Sequence, residues 1–372
     1  MTKIAVFRRL AGTLFLLAAA PSCGGNLVGY DATSDPVLES EITDTPAEEA
    51  PPGTRPVDLL LLIDNSPEMA EEQGRFIQVL PSLVNALLAP ASGAAVKDFH
   101  IGVVTSDLGD GYPDRPCSET GDDGILQNDT ASPRSECQAA WPLLFAYSVR
   151  DAPDRAKIDD IVEGISCTAF QGQEGCGFEH QLEAVLTALT VKATPPELNA
   201  GFLREGAVLA IVILTSENDC SARDNTIFNP DEPDLGQINM RCFNHRDKLQ
   251  PVDRYGMGLR ALKDDPDDVL VAVITGVPVG AGLCEGAGDT IAGCLDDSSM
   301  LERVSADGKN LLPSCVSQEI PPMTQGYPAR RFVELAGKLG AQAYVSSICA
   351  PQYDAVVQWL VGAVKARLVT GI

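Results

Sequence analysis

An α/β domain built on a doubly wound, mostly parallel sheet is predicted by two observations. Four runs of seven or eight residues are apolar almost throughout: VDLLLLID (Val57 to Asp64), FHIGVVT (Phe99 to Thr105), VLAIVILT (Val208 to Thr215) and VLVAVIT (Val269 to Thr275). Runs of this kind mark strands buried on both faces, as in a parallel sheet with helices above and below it. Between the runs lie stretches with apolar residues at three and four spacing, and strand alternating with helix belongs to this class.

Taken in order, Val57 to Asp64 is the first strand and Glu68 to Leu88 the first helix, followed by a strand at Phe99 to Thr105. Helices are predicted at Phe178 to Leu189, Asp253 to Leu262, Arg330 to Leu339 and Tyr353 to Leu368, with a weaker strand, AQAYVSS, at Ala341 to Ser347. Three long segments interrupt the alternation, at Asp107 to Trp141, Glu217 to Gln250 and Gly276 to Pro328, and each carries cysteines. Loops of that length in a domain are functional or need stapling. No internal repeat is present.

The amino-terminal segment has a different character. Lys3, Arg8 and Arg9 precede the apolar run Leu10 to Ala20, and Pro21-Ser22-Cys23 follows. This is a secretory signal, too short to span a bilayer. The small residues ending at Cys23 resemble the lipobox of bacterial lipoproteins, although Ala20 and Pro21 stand where Leu and Ala or Ser are usual. That resemblance implies a signal peptide over residues 1–22 and a lipidated Cys23, with Gly24 in place of the Asp that retains such proteins at the inner membrane. The expected location is therefore the outer membrane, on a face the sequence does not define. The alternative is an ordinary cleaved signal with Cys23 as a bystander. No later stretch reaches the ~18 to 20 apolar residues of a spanning helix, so any membrane association would come from lipid alone.

Residues 23–56 read as a tether. Asn26 to Pro56 holds seven acids, one Arg and five prolines, too little apolar area to offset its ordering entropy. Fully extended, it would reach on the order of 100 Å at about 3.3 Å per residue. The folded domain is expected over 57–372. The whole chain carries a net charge of −25, and −28 once the signal is removed. Such a surface repels phosphate backbones, which excludes nucleic-acid binding driven by counterion release.

Beyond Cys23 there are ten cysteines, Cys117, Cys137, Cys167, Cys176, Cys220, Cys242, Cys284, Cys294, Cys315 and Cys349. An even number in an exported chain reads as disulfides. Zinc binding or thiol catalysis is the competing reading, but no C-x-x-C pair or Cys/His cluster supports it. Sequence neighbours, Cys117 with Cys137, Cys167 with Cys176 and Cys284 with Cys294, would close the shortest loops, although spacing does not determine connectivity.

Ligands of open parallel sheets bind beyond the carboxyl ends of the strands. There the first strand runs into Asp64-Asn65-Ser66-Pro67-Glu68, which resembles the Asp-x-Ser-x-Ser that ends the first strand of a von Willebrand factor A domain. The resemblance continues through Gly102 to Thr105, Gly175-Cys176-Gly177-Phe178-Glu179 and Leu214-Thr215. The pieces VVTSDLG, GCGFEHQLEA, LTSENDCS and SSICAPQYD are similar to a cysteine-rich subgroup of secreted bacterial lipoproteins. It implies a Rossmann-like three-layer fold over Val57 to Ile372 and a non-catalytic binding or adhesion function toward a protein or cell-surface ligand.

Family members of the metal-binding type hold Mg²⁺ or a similar divalent cation, leaving a coordination position for a partner's carboxylate. Asp64 and Ser66 match that motif. Glu68 stands at the second Ser, Cys176 at a loop Thr and Ser216 at a later Asp. Glu68, Glu179, Glu217 and Asp219 would supply carboxylates if the loops converge, so Asp64, Ser66, Glu68, Ser216 and Asp219 form the candidate metal set. The competing reading is that Asp64 caps the first helix.

Other acidic clusters, Asp264 to Asp268 and Asp231 to Asp234, lack EF-hand spacing and read as solvated turns. His180 reads as a helix-surface residue, and Gly280, Gly282 and Gly286 as part of a stapled loop. No G-x-S-x-G, H-E-x-x-H or P-loop is present. An exported hydrolase using loop carboxylates, and a structural envelope protein with a decayed metal site, remain as alternatives to the binding domain.

Overall fold

The computed structural model describes residues 55–112, 117–280, 283–317 and 323–369. The signal, Cys23 and all but the last two residues of the tether lie outside them. In chain order the elements are β1 (Val57–Ile63), α1 (Ala70–Leu88), β2 (Asp98–Thr105), β3 (Phe145–Ser148), α2 (Arg155–Thr168), α3 (Gln181–Leu189), β4 (Val208–Leu214), the one-turn α4 (Arg241–Asn244), α5 (Val252–Arg260), β5 (Val269–Thr275), β6 (Gly286–Ala287), β7 (Cys315–Ser317), β8 (Thr324–Gly326), α6 (Arg330–Leu339), β9 (Ala343–Ser347) and α7 (Asp354–Val369).

Seven strands form one sheet in the order β3-β2-β1-β4-β5-β9-β6. Its five central strands run parallel, and the edge strands β3 and β6 are antiparallel. β7 and β8 make a separate hairpin. Alternation along β1 explains the layering. Leu59, Leu61 and Ile63 pack with α1, α2 and α7 on one face, whereas Leu60 and Leu62 pack with α3, α5 and α6 on the other. Every residue of β1, β4 and β5 is buried, which is why these strands read as unbroken apolar runs. The predicted α/β class and mostly parallel sheet are both present.

One buried charge interrupts β1. Asp58, wholly enclosed, accepts hydrogen bonds from the Arg204 backbone N–H and Nε, each at 2.8 Å. Arg204 also pairs with Asp98, so one guanidinium ties the amino ends of β1 and β2 to the loop before β4. Nearby, Arg55 pairs with Asp268 and donates to the Gly206 carbonyl. Asp268 is therefore a buried ion-pair partner rather than part of a solvated turn, because the amino end of the domain supplies it with a base.

Five disulfides staple the loops: Cys117–Cys176, Cys137–Cys167, Cys220–Cys242, Cys284–Cys294 and Cys315–Cys349. They imply an oxidising, exported environment. Of the neighbour pairings only Cys284–Cys294 forms. Cys137 sits in a short turn packed on α2, which carries Cys167. The Cys176 N–H donates to Asp107 in the loop leading to Cys117. Tertiary contact, not sequence distance, selects these partners. Among the described residues no helix is long and apolar enough to cross a membrane.

Candidate functional site

Strand order reverses at β1. The chain moves from β1 through α1 to β2 on one side and returns through α3 to β4 on the other, leaving a crevice beyond the carboxyl ends of β1 and β4. Asp64 closes β1 there, and its backbone N–H donates to the Leu214 carbonyl at 3.0 Å. Three strand ends hold its carboxylate. Oδ1 accepts from the Ser66 N–H at 2.9 Å and the Ser106 hydroxyl at 3.3 Å, and Oδ2 accepts from the Thr215 hydroxyl at 2.6 Å. Gln181 Nε2 donates to the same Thr215 oxygen at 2.8 Å, so the α3 side chain orients the hydroxyl.

Asp64 does not cap α1. The cap position is Met69, and the intervening turn puts Glu68 at φ 81°, which delays the helix to Ala70. A non-glycine residue in that region is strained, and such strain collects at functional sites.

Three further carboxylates gather around this centre. Glu179, just before α3, is only 4% exposed and lies close enough to Asp64 to feel its charge. Burial, then the charges of Glu217 and Asp64, push its carboxyl well above the ordinary range. Glu217 follows β4 and is raised to about 7, first by desolvation and then by Asp64 and Glu68. Its side chain is crowded by protein yet open to the crevice, and water there screens part of that repulsion. Asp64 is raised by burial, against the pull of its hydrogen bonds to Thr215, Ser66 and Ser106. Among the described residues no Lys or Arg forms an ion pair with Asp64, Glu68, Glu179 or Glu217.

The crevice opens into a cleft of about 730 Å³ between the loops that follow β4 and β5. Ser66, Glu68, Glu179, Glu217 and Tyr327 line its sheet end. Tyr327 is brought there by backbone contact, its N–H donating to the Ser216 carbonyl at 2.8 Å. Gly276 allows the approach: a Cβ at that position would lie 1.9 Å from the Tyr327 carbonyl oxygen. Burial, Glu217 and Glu68 raise the Tyr327 phenol.

Of the residues singled out by sequence, Asp64, Ser66, Glu68, Glu179 and Glu217 come together. Ser216 sits beside them, but the hydroxyl that meets Asp64 is that of Thr215. Asp219 lies in the cleft wall with its carboxylate occupied by the Leu182 N–H (2.9 Å), the Ser221 hydroxyl (2.6 Å) and Arg331 (2.8 Å). It fixes α3 and α6 rather than facing the cluster. Cys176 is in a disulfide. His180 is not on a helix surface. It occupies the residue before α3, 5% exposed and edge-on to Phe228, and burial lowers its pKa.

Sequence reasoning missed Thr215, Ser106, Gln181 and Tyr327 as partners at this site. Thr215 had a visible signal, a hydroxyl ending an apolar strand, whereas nothing local marks Gln181 or Tyr327. The donor set is all oxygen, which suits a hard cation. Among the described residues no three His, Cys, Asp or Glu side chains converge closely enough to cage an ion. A cation here would therefore be held by one or two carboxylates and water, the usual manner of Mg²⁺.

No protein-family model and no curated protein matches the chain. Solved structures give weak likenesses. Proximal thread matrix protein 1 of the mussel byssus is 9% identical at a TM-score of 0.35, over 84% of this chain and 48% of that one. The human COPII-coat protein Sec24c is 13% identical at 0.27, over 61% and 26%. The pilus adhesin RrgA of Streptococcus pneumoniae is 11% identical at 0.26, over 83% and 41%. The chain thus spans less than half the length of each, and at these scores the likenesses carry no argument about function.

Proposed function

We propose that this chain is an exported, lipid-anchored binding domain of the von Willebrand factor A type, which engages a protein or cell-surface ligand beyond the carboxyl edge of its sheet with the help of a divalent cation. The observation that carries the reading is the setting of Asp64. Hydroxyls and an N–H from three strand ends hold its carboxylate at the switch point, beside Glu68, Glu179 and Glu217, which among the described residues pair with no Lys or Arg. The Ser66 hydroxyl and these carboxylates are the groups that would hold the ion. Once bound, it would cancel part of their repulsion and draw the loops after β1 and β4 together.

The geometry also suits a tethered domain. Val57 opens β1 next to the Arg55–Asp268 pair, and Asp64 follows its far end, about 23 Å away at ~3.3 Å per residue. The described chain therefore enters the domain at the end of β1 opposite the cleft. The lipid anchor at Cys23 and an outer-membrane location belong to this proposal, and loss of labelled palmitate from a Cys23→Ser chain is its direct check.

Titration with Mg²⁺, Mn²⁺ and Ca²⁺ read by melting temperature tests the cation. An ion that binds only the folded state adds about 2.7 kcal/mol at a hundredfold excess over its Kd. A rise in Tm that disappears in Asp64→Ala is expected, and an unchanged Tm with all three ions would sink the cation site. A second reading, an exported hydrolase, is favoured by one feature: Glu179 and Glu217 are neighbouring raised carboxyls at the end of a cleft, a pattern used for acid and base roles. Hydrolysis of peptide or glycan substrates that is lost in Glu217→Gln would establish it.

A further inference from the structure

Three carboxylates, Glu68, Glu179 and Glu217, line the sheet end of the cleft with no Lys or Arg paired to them among the described residues, and we infer that the group the cleft takes from its ligand is a basic side chain, Lys or Arg, carried on a polypeptide segment. This rests on the binding reading above and reverses the sign of the ligand that the family resemblance implies. Glu68, Glu179 and Glu217 line the cleft with the enclosed Asp64 behind them, and a divalent ion offsets two of the negative charges this group can carry. A ligand carboxylate arriving there meets like charge in a partly desolvated site, which strongly disfavours it.

Four Arg line the cleft, Arg223, Arg246, Arg330 and Arg331, and among the described residues none of them pairs with Glu68, Glu179 or Glu217, Arg223 donating from Nε to the Leu249 carbonyl. Arg331 donates to Asp219 and to the Gln250 carbonyl, Arg330 to the Leu295 and Met300 carbonyls, and Arg246 pairs with Glu302. At the sheet end, by contrast, Glu179 is 4% exposed, lines the cleft, and pairs with no Lys or Arg among the described residues.

Aromatic groups complete the complementarity. The Tyr327 phenol feels the charges of Glu217 and Glu68 and Phe178 lines the same cleft, whereas the Phe243 ring already has Arg246 over it at 5.1 Å. Ring faces attract an ammonium or guanidinium, and carboxylates beside them supply its hydrogen-bond acceptors. The volume, about 730 Å³, is that of a ligand pocket rather than of one side chain. Ile238, Phe243 and Leu311 offer apolar wall to residues flanking the basic one.

Selection of random displayed heptapeptides on the full chain, run with Mg²⁺ and again with chelator, tests this. Enrichment of Lys or Arg at one position is expected in both. The selected peptide should bind about tenfold more weakly to the Glu217→Gln and Glu68→Gln chains and not at all when its basic residue is replaced by Glu. Glu68 is exposed, so its variant retains the fold, as circular dichroism will verify. Enrichment of acidic peptides that needs Mg²⁺ would overturn the inference and leave the cation reading standing. Enrichment without charge preference, or none, overturns it as well. Retained Lys selection on a chain whose Tm ignores every divalent ion would instead remove the cation reading alone.

Discussion

Glu68 shows how one residue joins conformation to chemistry. Its φ of 81° is a region that L side chains enter only at a cost, and the same turn brings its carboxylate to the cleft. Glu68→Gly would remove the backbone penalty. Allowing for the extra freedom glycine gives the unfolded chain, a gain of about 0.5–1 kcal/mol is expected, together with weaker ligand binding. A urea midpoint that stays put or falls would show that the turn stores no strain. Gly276 is the opposite case. A methyl there would strike the Tyr327 backbone rather than a movable side chain, so Gly276→Ala should cost about 3 kcal/mol and displace Tyr327 from the site. Retained stability and peptide affinity would show that the two backbones separate without penalty.

At the scale of elements, the disulfides divide into those that serve the fold alone and those that also shape the cleft. Cys137–Cys167 and Cys220–Cys242 span 30 and 22 residues, so the chain-entropy argument gives each about 3.5 kcal/mol. Only the second pair lines the cleft. Replacing either pair should lower stability by similar amounts, while only loss of Cys220–Cys242 weakens peptide binding. Equal binding losses from both would mean that stability, not loop position, governs the site.

The same elements show what sequence makes legible. β1, β4 and β5 were readable because burial on both faces leaves an unbroken apolar run. β3 was not, since an edge strand of four residues has too short a pattern, and two-residue β6 has none. In α2 the spacing of Ile158, Ile161 and Ile165 was present, but Asp159, Asp160, Glu163 and Gly164 obscured it. At the site, Asp64, Ser66, Glu68, Glu179 and Glu217 could be named from their places at strand and helix ends. Thr215, Ser106, Gln181 and Tyr327 could not be joined to them, because the order of strands and the Gly276 contact create that proximity.

For the molecule as a whole, the net charge of −25 poses a question of pH. Asp64, Glu179 and Glu217 all have carboxyls raised in the fold, Glu217 to about 7. Their unfolded values are near 4, so between about pH 4 and 7 the folded chain binds more protons than the unfolded one. Stability from these groups is then fully present below pH 4 and is lost as pH rises through that window. His180 and His100 act in the other direction. Burial lowers both, so their contribution is lost as pH falls through the unfolded value near 6.5. The acidic contribution is isolated by comparing the natural chain with Glu217→Gln in chelator. Glu217→Gln should melt progressively higher relative to the natural chain from pH 5 to pH 8, and added Mg²⁺ should narrow the gap by neutralising the cluster that the substitution relieves. A gap that is constant with pH, or that closes toward alkaline pH, would mean that Glu217 ionises freely in the folded chain and that the cleft lacks the uncompensated charge on which a cationic ligand depends.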